Sequence, residues 1–260
     1  MIRFPQTLVP ALLLSLIVPA HAAGLNDTGQ DTCYNDTAAD SVAASDPASI
    51  ARDAGTHPRQ DCRYGRDAVA ALGLLPKTGA GTKGFDFTKI ANNGSTLAAA
   101  AALGAAPTDW ACTKDNTTGL TWEVKTAGAT DLRYYLRTYT WYSTDAATNG
   151  GNAGVPNGGI NTENFAADVN AAALCTYTDW RLPTPRELRS LAIVGGSGPD
   201  PAYFPNLPLN HGYWTSTTFS ARQTSAWIVA STHFYPNYNA GNGSDKGNSL
   251  YVLLVRGGHF

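Results

Sequence analysis

Few residue patterns in this sequence could support catalysis. The chain contains no G-x-S-x-G, S-x-x-K or H-E-x-x-H motif, the arrangements that activate a serine or hold a catalytic zinc ion in hydrolases. The histidines beyond residue 22 occur singly along the chain: His57, His211, His233 and His259. The glutamates that could act in pairs in glycoside hydrolysis are Glu123, Glu163 and Glu187. The sequence therefore predicts a protein that is not an enzyme and has no catalytic residue.

Side chains suited to ligand binding are concentrated near residues 235–245. Tyr235 and Tyr238 lead into a Gly- and Asn-rich stretch that carries Asn242 and Asp245. Flat aromatic rings beside amide and carboxylate groups suit the apolar face and the hydroxyls of a sugar, although a hairpin tip without a ligand explains the tyrosines equally well. Oxygen donors of this kind also bind calcium, but an ordinary hairpin loop is the simpler explanation. We therefore predict no cofactor and no metal ion.

Two arginines offer an alternative site, for an anionic ligand. Arg186 and Arg189 are one helical turn apart in a predicted helix, so both guanidinium groups could reach a sulfate group. The charge of the chain argues against that ligand, because only 15% of the residues are charged and the net charge is −2. An average soluble domain has about 25% charged residues. We therefore rank a neutral glycan or a protein above a sulfated glycan, and we exclude nucleic acid as a partner.

Residues 1–22 have the pattern of a cleaved secretory signal peptide. Arg3 precedes an apolar run from residue 8 to 18, and Ala20-His21-Ala22 provides the A-x-A cleavage pattern. The run is shorter than the roughly 20 residues of a membrane span. Cleavage removes Arg3, which leaves 17 basic and 20 acidic residues, six of the basic ones lysines. The predicted location is the periplasm, the cell surface or the extracellular space, and no membrane span is predicted.

The four cysteines, all beyond the signal, are Cys33, Cys62, Cys112 and Cys175. An even number of cysteines in an oxidising compartment favours disulfides. Three pairings are possible, and we prefer the sequential one, Cys33 with Cys62 and Cys112 with Cys175, because each pair falls within one apparent half of the chain. A metal site is disfavoured because no C-x2-C or H-x3-H spacing is present.

The pattern of apolar residues predicts an α+β fold. Helices are expected over residues 65–75, 162–174 and 185–194, and strands over 119–125, 134–142, 213–219, 225–234 and 249–256. Loops without crossover helices join the last strands, so an antiparallel sheet is expected. The segment 149–161 holds five glycines and one proline and is predicted to be a surface loop. We divide the chain into a signal peptide (1–22), an irregular N-terminal extension with one short helix (23–107) and a compact domain (108–260).

The helix starts carry the clearest local signals. Thr184 and Glu187 form a capping box, with Pro185 at the first helical position, while Thr162 is a fair N-cap for the preceding helix. Leu188 and Leu191 should be buried by the later helix. The tryptophans lie in strand-like or motif settings and are expected mostly in the core: Trp110, Trp122, Trp141, Trp180, Trp214 and Trp227.

One run of residues resembles a known family. The run is Asp179-Trp180-Arg181-Leu182-Pro183-Thr184 followed by Glu187-Leu188, and it is accompanied by Tyr139-Thr140-Trp141-Tyr142 and Tyr213-Trp214-x-Ser216. Together these pieces resemble the Lcl C-terminal domain family, lectin-like domains named from a bacterial collagen-like adhesin. The resemblance implies a fold related to C-type lectins and to the formylglycine-generating enzyme core, with export and surface binding in bacteria. The adhesin that gives the family its name is carried on a collagen-like stalk and binds sulfated polysaccharides. The present chain contains no Gly-x-y repeat.

Three functions follow as hypotheses. The leading one is a secreted or surface-exposed bacterial binding module that recognises a glycan or a protein, in the manner of an adhesin. The second is a structural or assembly component of a pilus or of the cell envelope. The third, an oxidoreductase of the formylglycine-generating type, would need Cys112 and Cys175 as redox-active thiols instead of a structural bridge. Within the motif, Arg181 is expected to be buried and paired.

Overall fold

The computed structural model describes residues 26, 28–30, 32–34, 42–43, 58–193, 198–209, 211–230 and 243–258. Within these residues the α-helices are α1 (Gly65–Ala71), α2 (Thr162–Ala171) and α3 (Pro185–Arg189). Short 3-10 turns occur at Asp61–Arg63, Asn157–Gly159 and Leu174–Thr176. Together with antiparallel sheets, these elements confirm the predicted α+β class.

Ten strands in the described residues form three antiparallel sheets. In chain order they are β1 (Thr32–Cys33), β2 (Val42–Ala43), β3 (Phe87–Ala91), β4 (Thr96–Leu97), β5 (Trp110–Asp115), β6 (Thr121–Glu123), β7 (Gly212–Thr218), β8 (Ser225–Ala230), β9 (Gly243–Asp245) and β10 (Val255–Arg256). The largest sheet has the order β10-β6-β5-β3-β4, the second has the order β7-β8-β9, and β1 pairs with β2. The predicted strands at 119–125, 213–219 and 225–234 thus correspond to β6, β7 and β8.

The N-terminal extension contributes two strands to the largest sheet. Ile90 of β3 is paired with Cys112 of β5, and Phe87 with Asp115. Phe87 is only 1% exposed, so this segment is part of a core. The predicted domain boundary near residue 108 therefore falls between two strands of one sheet.

The prediction of a strand over residues 134–142 is wrong. Tyr139 forms a single bridge to Leu250, Thr140 bridges Asn161, and Tyr142 bridges Gly154. Because successive residues of this segment pair with different parts of the chain, no continuous ladder forms. The strand predicted over 249–256 is likewise shorter in the structure, where only β10 is formed. Leu250, near the start of the predicted strand, makes the single bridge to Tyr139.

Helix α2 begins and ends differently from the prediction. Its N-cap is Asn161 instead of Thr162, since the Asn161 Oδ1 accepts the Asn164 N–H at 2.9 Å. The helix ends at Ala171 and not at residue 174. Beyond it, Ala173 and Cys175 have φ of 46° and 53°, left-handed values that end α-helical hydrogen bonding.

Helix α3 confirms the predicted capping box. The Glu187 N–H donates to the Thr184 Oγ1 at 3.2 Å, and the Thr184 N–H donates to the Glu187 Oε2 at 2.7 Å. The helix is shorter than predicted, because the backbone after Arg189 continues as turns, with the Ala192 N–H donating to the Arg189 carbonyl at 2.9 Å. The predicted stop at residues 195–196 lies outside the described residues.

Aromatic residues dominate the interior, as predicted. Five of the tryptophans are buried: Trp110, Trp122, Trp141, Trp180 and Trp214. Trp227 is half-buried. One core cluster contains Trp141, Trp180 and Trp214, while a second contains Phe87, Trp122 and the helix residue Leu188.

Both predicted disulfides are present. Cys33 is bonded to Cys62, and Cys112 is bonded to Cys175. The second bond joins β5 to the 3-10 turn that follows α2 and lies inside the first core cluster. It therefore ties the largest sheet to the segment that leads into the Asp179–Thr184 motif.

Candidate functional site

Four separate segments meet around one half-open cavity of about 510 Å³. They are residues 141–148, the first turns of α2, the motif at 180–184 and the end of β7. We call this cavity the motif cleft. Its lining consists of Trp141, Tyr142, Ser143, Asp145, Thr148, Thr162, Glu163, Ala166, Trp180, Arg181, Leu182, Thr184, Ser216 and Thr217. Three of the segments contain residues of the family-like motifs.

Short hydrogen bonds join the walls of the cleft. The Thr162 Oγ1 accepts the Tyr142 N–H at 3.0 Å and donates to the Tyr142 carbonyl at 2.9 Å. On the other side, the Ser216 N–H donates to the Pro183 carbonyl at 2.8 Å. Because backbone groups are fixed on both sides, the cleft is formed before any ligand arrives.

A buried carboxylate fixes the motif arginine. Arg181 Nη1 donates to Glu187 Oε2 at 2.8 Å, and Nη2 donates to Glu187 Oε1 at 2.7 Å. Glu187 is fully buried, whereas the Arg181 side chain is 26% exposed. Burial alone would raise the pKa of Glu187, but hydrogen bonds from Arg181 and Thr184 outweigh it and hold the pKa below its ordinary value. Arg181 is therefore paired as predicted, although only half-buried, and its charge is neutralised within the motif.

Asp179 and Trp180, the two motif residues before Arg181, are also held in place by hydrogen bonds. Asp179 forms a two-pronged ion pair with Arg256, with both N–O distances at 2.9 Å, and the hydrogen bond from Arg256 lowers the pKa of Asp179. The Trp180 N–H donates to Asn170 Oδ1 at 2.7 Å, while Asn170 Nδ2 donates to the Trp180 carbonyl at 2.9 Å. The motif is thus attached to β10 on one side and to α2 on the other.

The tryptophans below the cleft are structural. Trp141 is 0% exposed and Trp180 is 2% exposed, so neither ring face is available for stacking on a sugar. The Trp141 Nε1 donates to the Thr215 carbonyl at 2.8 Å, which satisfies its polar atom. Tyr142, which is half-buried, is the aromatic side chain of the lining that remains accessible.

The rim of the cleft is rich in hydroxyls and slightly acidic. Glu163 Oε2 accepts the Thr144 N–H at 2.6 Å, and Asp145 Oδ1 accepts the Ala147 N–H at 2.9 Å. Each carboxylate keeps part of its acceptor capacity for a ligand. With Arg181 neutralised, these two carboxylates make the lining a poor surface for sulfate groups and a good one for donor hydroxyls.

A buried lysine fixes the glycine-rich loop that follows the rim. Lys246 is 1% exposed, and its Nζ donates to the carbonyls of Asn149 and Asn152 at 3.0 and 2.6 Å. The Nζ also lies 4.2 Å from the centroid of the Trp141 ring, and burial lowers the pKa of this lysine. Gly154, with φ of 89°, packs so closely on the Trp141 carbonyl that a Cβ would collide there. The loop is therefore fastened to the floor of the cleft.

Of the predicted ligand residues between 235 and 245, Asp245 is the one that the structure describes, and it does not line the cleft. Tyr235, Tyr238 and Asn242 lie outside the described residues. Asp245 is exposed and caps a turn, because its Oδ1 accepts the Gly247 N–H at 2.9 Å. In the described chain, no group of three or more His, Cys, Asp or Glu side chains could hold a metal ion.

The two predicted arginines do not line the cleft either. Arg186 is exposed. Arg189 is half-buried, and its Nε is buried without a hydrogen-bond partner among the described residues. Although both belong to α3, they differ in exposure and do not form the shared exposed pair that the helical spacing suggested.

Sequence reasoning missed most of the cleft lining. Ser143, Thr148 and Thr217 have no distinctive spacing, and serines and threonines are abundant in this chain. A usable signal was the position of Ser143 and Thr217 directly after the family-like pieces at residues 139–142 and 213–216, the second of which contains Ser216. Such neighbours are brought together only by the tertiary fold.

Comparison with known proteins gives one match. The family model of the Lcl C-terminal domain matches residues 111–256. No curated protein and no solved structure matches the chain. Among the described residues, no helix has the length and apolar character needed to cross a membrane.

Proposed function

This chain belongs to the Lcl C-terminal domain family, and from that membership we propose that it is a non-enzymatic, adhesin-like binding module that works outside the cytoplasm. The two buried disulfides support this location, because such bonds persist in oxidising compartments. The signal-like residues 1–22 support export. The periplasm, the cell surface and the extracellular space all fit these features.

The motif cleft is the proposed binding surface. The observation that carries this proposal is the convergence of three family-like segments on one cavity whose rim presents hydroxyls, two carboxylates and the Tyr142 ring. Its volume of about 510 Å³ is within the range of roughly 300–1,000 Å³ that holds small ligands. One or two sugar rings, or a loop of a partner protein, would fit.

The ligand that the lining favours is neutral. Hydroxyl groups and two carboxylates, Asp145 and Glu163, offer hydrogen bonds to the hydroxyls of a sugar, while Tyr142 offers an apolar face. A sulfated chain would bring negative charges towards those carboxylates. We therefore propose that this chain recognises a neutral glycan or a protein, and not a sulfated polysaccharide of the kind that the family's name-giving adhesin binds.

The pairing of Cys112 with Cys175 supports a binding role over an oxidoreductase role. Both cysteines are 0% exposed, and their bond lies within an aromatic core cluster. A redox-active cysteine normally needs an accessible thiolate. The bond therefore supports a structural function for these two residues.

A glycan array probed with the chain from residue 23 onward tests the proposal, together with a pull-down from cell-surface proteins. Saturable binding to neutral glycans is expected, or specific capture of a surface protein. If the array is blank at high protein concentration and one protein is captured, the glycan part is wrong and the assembly-component hypothesis replaces it. If neither experiment shows binding, the binding-module proposal fails.

The tyrosines before the Gly/Asn-rich stretch are proposed as a second contact region. If Tyr235 or Tyr238 stacks on the ligand, alanine at that position should weaken binding by about 1 kcal/mol or more, while the melting temperature stays unchanged. Titration against the array-identified glycan and thermal unfolding measure the two effects. Loss of binding and stability together would identify these tyrosines as core residues.

A further inference from the structure

A second cavity, of about 610 Å³, lies where the N-terminal extension meets the family domain. One wall comes from residues 92–107, which precede the matched range 111–256. The other wall comes from residues 126–133 and from the end of α2 with the following turn. We call it the extension cavity. Because one wall lies outside the family match, the cavity depends on a segment that the family model does not include.

The extension wall is held rigidly. The Asn92 N–H donates to the Asp109 carbonyl at 3.0 Å, and the Asn93 N–H donates to the Pro107 carbonyl at 2.8 Å. The Asn92 side chain adds a bond from Nδ2 to the Ala106 carbonyl at 2.9 Å. These bonds close the segment into a loop that leaves the cavity open without a ligand.

The walls are mainly apolar, and an arginine is the cationic side chain among the lining residues. The apolar contribution comes from Leu103, Leu132, Val169 and Leu174. Arg133 Nη1 donates to the carbonyls of Ala111, at 3.0 Å, and of Val124. Among the described residues, the Nε and Nη2 of this arginine have no hydrogen-bond partner and the guanidinium has no ion pair.

Among the described residues, no carboxylate contacts the Arg133 guanidinium. Glu123 is buried and paired with Lys125 at 2.7 Å. Burial lowers the pKa of Arg133, and the attraction of Glu123 and of the exposed Asp131 only partly offsets this effect. Asp131 lines the same cavity but lies too far from Arg133 to form an ion pair. The Nε and Nη2 of this half-buried guanidinium are not sealed from solvent, so they can donate to an incoming anion.

From this juxtaposition of apolar walls and an unpaired guanidinium we infer that the extension cavity binds a small apolar molecule that ends in a carboxylate, with Arg133 as the partner of the carboxylate. The planar guanidinium suits a carboxylate, which can accept two parallel hydrogen bonds. The apolar tail would lie against Leu103, Leu132 and Leu174. This site is separate from the motif cleft and does not depend on the function proposed for it.

Calorimetric titration of the chain from residue 23 onward with octanoate, below its micelle concentration, tests the inference. Octanoate should bind saturably, and 1-octanol should bind at least about tenfold more weakly, because it lacks the charge-assisted hydrogen bonds. The Arg133→Gln variant should lose most of that preference. The matched control, Arg222→Gln, removes an exposed arginine outside the cavity lining and should bind octanoate as the parent does.

A second variant keeps the test decisive if Arg133→Gln fails to fold. Ala172 is exposed and lines the cavity, so Ala172→Phe should occupy the space without disturbing Arg133 and should abolish octanoate binding. Equal binding of octanoate and 1-octanol, unchanged binding by Ala172→Phe, or no saturable binding of octanoate would each overturn the inference.

Discussion

Replacing both Cys112 and Cys175 by alanine is expected to lower the free energy of unfolding by about 4 kcal/mol. The bond closes a loop with a sequence separation of 63 residues, so its removal releases a large amount of chain entropy in the unfolded state. Both sulfur atoms also leave a core cluster, which adds a packing loss in the same direction. Urea unfolding followed by tryptophan fluorescence measures the change, because the buried tryptophans report on this core.

The matched control is the double alanine variant of Cys33 and Cys62. That bond spans 29 residues and lies in a small cluster of its own at the N-terminal end. The main unfolding transition should therefore change less than with the first pair. A loss below about 1 kcal/mol for Cys112→Ala with Cys175→Ala would contradict the structural role of that bond.

Glu187→Ala is expected to cost about 3 kcal/mol of unfolding free energy. The substitution leaves the Arg181 guanidinium without its carboxylate and the Thr184 N–H without its capping acceptor. Since Arg181 and Thr184 both line the motif cleft, ligand binding should weaken as well. Glu163→Ala is the matched control: it also removes a carboxylate that accepts a backbone N–H, but at a half-buried site, and it should cost less than about 1 kcal/mol. Equal losses of unfolding free energy for Glu187→Ala and Glu163→Ala would contradict this account.

The pH dependence of the same carboxylate has a defined sign. The folded-state pKa of Glu187 lies below its ordinary value of 4.5, so the folded protein favours the ionised form. The stability it contributes is complete above that ordinary pKa and is lost as the pH falls through the lower folded pKa. The difference in unfolding free energy between the parent and Glu187→Gln should therefore be largest above about pH 5.5 and shrink on acidification. A difference that grows towards low pH would show the opposite shift.

Local signals in the sequence predicted the parts of the fold that short-range physics decides. The capping box at Thr184 and Glu187 needs only four neighbouring residues, and it is present as expected. The disulfide pairing was also predictable, because each pair stays within one half of the chain. The exact ends of α2 and α3 were not, since they depend on left-handed and turn conformations at individual residues such as Ala173.

Long-range contacts account for what the sequence did not reveal. Tyr139 and Tyr142 have strand-like neighbours in the sequence, yet their backbones bridge different segments. Lys246 looks like a loop lysine, but its ammonium is buried among the carbonyls of residues about 95 positions away. The motif cleft belongs to this class, because its serines and threonines become a site only when four segments pack together.

Blocking the motif cleft tests the central claim most directly. Thr217 is exposed on the cleft wall, so Thr217→Trp should fill the opening while the protein keeps its fold. Thr96→Trp introduces the same side chain at an exposed threonine of β4 that does not line the cleft. On a neutral-glycan array and in the surface-protein pull-down, we expect Thr217→Trp to bind at least about tenfold more weakly than the parent. Thr96→Trp should bind as the parent does. Parent-like binding by a folded Thr217→Trp variant would show that the cleft is not the binding surface.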